Sequence, residues 1–382
     1  MESQVNLTED TPALLERRRF LTLLGAGAAV GAATTIIPAC SAPGGSAAVA
    51  GGAVAKLNQN ENAFAPSAVE RQAMVKALDL ANRYPGAEDM LIEGLAAHHG
   101  IDGECFLMGC GSTELLKVCA EATLDGTNDL VQGFPTYPTL ERYARVYGAG
   151  IRSVPVDGTG HIDLAGLASQ TGPRTGVVYL CNPNNPTGTV LPDAMIRDFI
   201  DGIPGQALIV CDEAYHEFVD DPAYASLVDL AVSRQNLVVL RTFSKVYGLA
   251  GMRIGYAIGH PDTIVQLAPF RLSINLNNPG LYAAIAALKD HDFVRESVVM
   301  NARSREAIIR EMPRFGGTPG PSQAGFVWID FGRETEPIQR ALADRNVFLR
   351  TYGHSPQHLR ISTGRPEDMD RLFQAMEEIT GS

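Results

Sequence analysis

Short apolar runs recur along the middle of the chain, at Phe106–Met108, Asp129–Gly133, Ile151–Pro155, Gly176–Cys181, Ala207–Cys211, Leu237–Arg241 and Arg253–Ile258. Each has the length and the branched content of a buried strand, and helical or mixed segments separate most of them. That alternation predicts a mostly parallel sheet of seven strands with helices on both faces. Upstream, Ser67 to Asn82 reads as an amphipathic helix, with Ser67 as N-cap and Glu70 closing a capping box. A second helix carries Leu91, Leu95 and His98 at helical spacing and stops at Gly100, which leaves His98 and His99 as solvated helix-end residues.

After Pro261 the pattern lengthens. One helical stretch runs from Asn278 to Arg303 and on toward Glu311, and Phe326–Phe331 alternates as a half-buried strand. A helix near Pro337–Asp344, the runs NVFLR and HLRIS, and a helix from Pro366 complete an α+β segment. The expected organisation is therefore an α/β fold with a large domain over 86–272. A smaller domain would be built from 56–85 and 273–382.

The first 40 residues differ in kind. Arg17, Arg18, Arg19, Phe20 and Leu21 precede a Gly/Ala/Leu/Ile stretch, Thr22–Ile37, that is short and diluted by glycine. The segment resembles a twin-arginine export signal rather than a membrane span. Ile37, Pro38 and Ala39 before Cys40 are similar to a lipoprotein box, and the small residues Ala39 and Ala42 also suit ordinary cleavage. The two outcomes differ in whether the exported protein is lipid-anchored at Cys40. Residues 41–55, rich in Gly, Ser and Ala, read as a flexible tether.

Composition narrows the field. The formal charge of -12 and the lack of a basic patch interleaved with aromatics argue against nucleic-acid binding. Beyond Cys40, Cys105, Cys110, Cys119, Cys181 and Cys211 are odd in number and lack metal-ligand spacing, so no metal site is expected. Cys181 and Cys211 end apolar runs and read as buried thiols.

Lys245 is the centre of the candidate chemistry. It follows the strand Leu237–Arg241 in TFSKVYGLAGMRIGY, at the edge where open α/β sheets bind ligands. Desolvation there lowers an amine's pKa and leaves it neutral, able to form a Schiff base with an aldehyde cofactor. In MGCGSTELLK, Gly109 and Gly111 lead into a helix opening at Ser112 and Thr113. Such a turn offers free N–H groups to a phosphate, and Ser112 reads equally as a plain N-cap.

Four short motifs thus fall on four strand ends: GCGST, NPNNPTG (Asn182–Gly188), DEAY (Asp212–Tyr215) and TFSK. Their order resembles the fold-type I pyridoxal-phosphate enzymes, most closely the histidinol-phosphate aminotransferases, over nearly the whole chain after the leader. The resemblance implies a PLP-dependent transaminase with pyridoxal 5'-phosphate on Lys245, which also shuttles the proton of the 1,3 shift. It implies Asp212 on the pyridine nitrogen, Tyr215 and Asn185 on the phenolate oxygen, and Tyr137 stacked on the ring. Gly111, Ser112, Thr113, Thr242, Ser244 and Arg253 would hold the phosphate, joined by Tyr84 of a neighbouring subunit in a homodimer with shared active sites. Arg360 would clamp the substrate carboxylate, with Arg350, Asn62 and Phe64 nearby.

Two stretches depart from the family pattern. Phe270–Gly280 lacks the usual Pro-Tyr-Asn, and NENAFAPS lacks the proline and glycine that customarily follow its second Asn. Both lie on the substrate side, and export also points away from cytoplasmic histidine synthesis. The expected activity is amino transfer between an amino acid or amino-acid-like donor and a keto acid. A decarboxylase, lyase or racemase on the same fold, and an exported non-catalytic binding protein, are the alternatives.

Overall fold

The structure, a computed structural model, describes residues 54–381. The export-signal and Cys40 readings, and nearly all of the tether, lie outside the described residues.

Seven strands form the main sheet: β1 (Phe106–Gly109), β2 (Asp129–Phe134), β3 (Gly150–Pro155), β4 (Thr175–Cys181), β5 (Leu208–Asp212), β6 (Leu237–Thr242) and β7 (Gly255–Ile258). Their order is β1-β7-β6-β5-β4-β2-β3, and only β7 runs antiparallel to its neighbours. Every residue of β4, β5 and β6 is buried, which is why these runs are apolar throughout rather than alternating. Val178, Leu180, Ile209 and Val239 pack on one face with the helices Glu88–His99 and Asn278–Ala287. Val177, Tyr179, Val210 and Leu240 pack on the other with the helices Ser112–Thr123 and Thr139–Val146.

A second, antiparallel sheet contains β8 (Thr318–Pro319), β9 (Phe326–Asp330), β10 (Arg350–Thr351) and β11 (His358–Ser362), in the order β10-β11-β9-β8. Val327, Ile329, Leu359 and Ile361 face a core shared with Ile308, Met312, Leu372 and Met376. Ala55 and Leu57 join that core, and Ala55–Lys56 pairs parallel with Val347–Phe348. The period-2 alternation then puts Phe326, Trp328, Arg360 and Ser362 together on the opposite face, with Trp328 opposite Arg360 and Phe326 opposite Ser362.

Local signals worked where a side chain could satisfy them nearby. Ser67 and Glu70 exchange both capping-box bonds, at 3.2 and 2.6 Å. Gly100 ends its helix in the left-handed region, at φ 68°. The long helical stretch is instead two helices, Asn278–Ala287 and His291–Glu311, because Asp290 caps the second by accepting from the Phe293 N–H. The cap of the helix at 112 is Gly111, not Ser112. His99 is half-buried with Nε2 3.1 Å from the Tyr256 hydroxyl, so it is not the solvated residue expected; desolvation holds its pKa down to about 3.

Candidate active site

The C-terminal ends of β4, β5 and β6 deliver the reactive groups to one edge. Asp212, the last residue of β5, is 2% exposed; Oδ2 accepts from the Tyr179 hydroxyl at 3.1 Å and Oδ1 from the Ala214 N–H at 3.2 Å. Burial pushes it up to about 6 against those two hydrogen bonds. Lys245 is half-buried as a residue, but desolvation of its ammonium, with the Arg360 charge second, holds its pKa down to about 8. Its Nζ donates to the Asn60 carbonyl at 3.0 Å and lies 5.5 Å from the Tyr215 ring centre.

Asn60 ties several of these groups together. Its Nδ2 donates to the buried Tyr215 hydroxyl at 2.9 Å, and Asn185 Nδ2 approaches the same hydroxyl at 3.5 Å. Ser362 Oγ donates to Asn60 Oδ1 at 2.7 Å. Asn60 sits at φ 54°, a region that asparagine tolerates better than most residues.

Arg360 stands beside this hub. It is 6% exposed, and donates from Nη1 to Asn185 Oδ1 at 2.8 Å and from Nη2 to the Asn58 carbonyl at 2.7 Å. Its Nε has no partner, and no carboxylate pairs with it among the described residues. A buried guanidinium with a free edge is a site for an anion.

A second anion site lies at the start of the helix Ser112–Thr123. Gly111 is at φ 74°, and a Cβ there would collide with Arg253 Nη2. A Cβ at Gly255 would lie 2.5 Å from the Ser112 backbone nitrogen. Glycine at both places lets the helix N-terminus, with Ser112 and Thr113, close against the arginine. Arg253 Nη1 reaches Ser244 Oγ at 3.3 Å and the Ala250 carbonyl at 2.9 Å; Thr242 Oγ1 donates to Ser244 Oγ at 2.8 Å. Arg253, too, has no acidic partner among the described residues.

The remaining expected residues are distributed less evenly. Tyr137 is half-buried near Cys181. Asn62 uses its carboxamide to donate to the Val246 carbonyl (2.9 Å) and Ser297 Oγ (3.1 Å) and to accept from the Phe64 N–H (3.0 Å), so it braces the segment. Arg350 is exposed and lies directly opposite Arg360 across β10 and β11. Tyr84 is 81% exposed, with no hydrogen bond or ring contact among the described residues.

Asn58, Asn60 and Tyr179 were not among the expected site residues. A tyrosine in a wholly buried strand needs a hydrogen-bond partner, which was a usable signal for Tyr179. For Asn60 the polar run NQNEN carried a hint, but its partners lie 155 to 302 residues away in the chain.

The family model described as aminotransferase class I and II matches residues 53–376. The chain belongs to this family. A histidinol-phosphate aminotransferase of Geobacillus sp. (strain WCH70) is 36% identical over 330 residues, covering 85% of this chain and 90% of that protein. An aromatic amino acid aminotransferase of Mycobacterium bovis (strain BCG / Pasteur 1173P2) is 38% identical over 326 residues, 84% of this chain and 90% of that one. The crystal structure of histidinol-phosphate aminotransferase from Sinorhizobium meliloti in complex with pyridoxal-5'-phosphate is similar at a TM-score of 0.80 and 31% identity, covering 86% of this chain and 91% of that one. This protein is a pyridoxal-phosphate-dependent aminotransferase. Its residues fit the cofactor: the cradle at Gly111 would be filled by any Cβ, Arg253 has no acidic partner among the described residues, and the Lys245 pKa is held down to about 8.

Proposed function

We propose that this aminotransferase moves the amino group of a carboxylate-bearing amino acid to a 2-oxo acid, at a site organised by Lys245, Asp212, Tyr215 and Arg360. The observation that carries the substrate side is the buried Arg360, which among the described residues has no acidic partner and an unpartnered Nε. Pyridoxal phosphate, when bound, supplies the electron sink that lets the substrate Cα release its proton. Lys245 holds the cofactor and, with its lowered pKa, offers a neutral amine as the base that takes that proton. The Asn60 carbonyl keeps Nζ in place between these duties.

Asp212 would accept a hydrogen bond from the protonated ring nitrogen, and the Tyr179 and Ala214 donors fix the carboxylate for it. Tyr215 and Asn185 would serve the ring oxygen, and Tyr137 would cover the ring. Gly111, Ser112, Thr113, Thr242, Ser244 and Arg253 hold the phosphate. Tyr84, exposed in its own chain, reaches the phosphate of a partner subunit in a homodimer.

A second reading has one observation in its favour. Arg350 and Arg360 are register partners, and both guanidinium carbons lie 5.8 Å from the Tyr352 ring centre. Two cations around one ring suit a phosphate monoester, the distal group of a phosphorylated amino alcohol.

A spectral screen of the purified holoenzyme against amino acids and histidinol phosphate separates the two. Under the first reading, Arg360→Ala lowers kcat/KM for amino acids about ten- to hundredfold, the worth of a charge-assisted pair. Unchanged kcat/KM removes Arg360 from the site, and reactivity confined to histidinol phosphate selects the second reading.

We further propose export by the twin-arginine route as a folded holoenzyme, resting on Arg17–Leu21. Anchoring through Cys40 or cleavage beside it decides whether the protein is lipid-bound in the periplasm. The Arg17→Lys, Arg18→Lys double variant is expected to stay in the cytoplasmic fraction, and unaltered fractionation would remove this route.

A further inference from the structure

Two cavities share a wall beside the reactive lysine. The inner one is lined by Asn60, Asn62 and Lys245, and the outer one by Arg71, Phe293 and Glu296; Phe64, Ser297 and Met300 border both. The outer cavity encloses about 310 Å³, within the range of small-molecule pockets. Its lining combines two half-buried phenylalanines, Phe64 and Phe293, with one cation and one anion, both exposed. Arg71 donates to the Pro66 carbonyl at 2.9 Å, and neither Arg71 nor Glu296 has an ion-pair partner among the described residues. A cationic and an anionic residue thus line one cavity with no ion pair between them.

We infer that the outer cavity is a receiving site for free zwitterionic amino acids with an apolar or aromatic side chain. Arg71 takes the carboxylate, Glu296 takes the ammonium, and the side chain packs between Phe64 and Phe293. The inference rests on the reading that the substrate is a carboxylate-bearing amino acid. A zwitterion loses much hydration on its way to a buried lysine, and a site complementary to both charges compensates part of that loss. Phe64 borders both cavities, and Asn62 holds it by accepting from its N–H. The site also sorts the two reactants. A 2-oxo acid lacks the ammonium and meets Glu296 only as a like charge, so the receiving site favours the donor over the acceptor.

The test uses holoenzyme treated with borohydride, which fixes the cofactor on Lys245 and blocks turnover. L-Phenylalanine and phenylpyruvate are titrated separately into it and followed by ligand NMR line broadening. L-Phenylalanine binding is expected to weaken about two- to fivefold in Glu296→Gln, the worth of one exposed charge contact, while phenylpyruvate binding does not weaken. In Arg71→Gln both ligands weaken. Among the described residues Glu296 makes no hydrogen bond or ion pair, so its substitution leaves the local structure intact. The inference is overturned if L-phenylalanine does not bind, or if Glu296→Gln changes neither ligand or weakens both alike. It is also overturned if Arg360→Ala abolishes binding that Glu296→Gln leaves untouched, an outcome that places the ligand in the inner site and keeps the proposed function.

Discussion

Lys245 owes its chemistry to what surrounds Nζ. A lysine in water ionises near 10.5, and desolvation with the Arg360 charge brings this one to about 8. The neutral amine is the form that reacts with an aldehyde, so lowering the pKa makes it available at a lower pH. In cofactor-free protein the rate of pyridoxal phosphate attachment should therefore rise with pH through an inflection near 8, read from the recovery of cofactor absorbance. An inflection above 10 would show that the amine is solvated. Because Arg360 is the second cause of the shift, Arg360→Ala is expected to move the inflection upward. The sequence made Lys245 conspicuous and, through the family resemblance, placed Arg360 in the same site, but the Asn60 contact needed the chain's long-range folding.

Strand ends set the spacing between such residues. Glu213 and Arg241, next in sequence to Asp212 and Thr242, form a pair at 2.7 Å with side chains 1% and 5% exposed. Glu213 also accepts from Ser226 Oγ at 2.8 Å and the Leu227 N–H at 2.9 Å, and Arg241 Nη2 reaches Ser226 Oγ at 2.9 Å. The network ties the end of β5 to that of β6. Removing one partner strands the other charge in the interior, so Arg241→Ala should destabilise by about 3 to 5 kcal/mol. A lower urea midpoint at unchanged m-value would record that loss, and an unmoved midpoint would mean that water reaches the pair. At this scale the sequence was most legible: the seven apolar runs lie on the seven strands. Buried strands need unbroken apolar runs, whereas the break at Asp290 needed one capping bond that periodicity does not report.

Across the whole molecule, apolar side chains stay exposed on neighbouring segments: Leu78 (58%), Tyr84 (81%), Met90 (50%), Leu272 (63%) and Ile274 (58%). These segments are tied together by Asn278 Nδ2 donating to the Leu80 and Arg83 carbonyls, and by the Arg271–Glu88 pair at 2.5 Å. We propose this face as the contact with a second copy, across which Tyr84 enters the partner's site. Co-expressing Lys245→Ala with Tyr84→Ala is then expected to restore activity that neither variant has alone. The mixed dimer contains one site with both Lys245 and Tyr84 intact. Failure of the mixture to exceed the two separate variants would confine each site to one chain.

The sequence by itself determined the sheet, the glycine turn before Ser112, the four motif-bearing strand ends and the family they belong to. These depend on local periodicity, backbone geometry and residue type, which short stretches encode completely. Tertiary structure decided the strand order, the hydrogen bond from Tyr179 to Asp212, the Asn60 hub and the isolation of Arg360 from any acid among the described residues. Those properties depend on which distant segments share a buried volume, and on how much water that volume excludes. A pKa near 8 for Lys245 belongs to that second group. Desolvation is its largest cause and the Arg360 charge, brought from a distant strand, its second, while Arg253 of the lysine's own motif adds a smaller lowering.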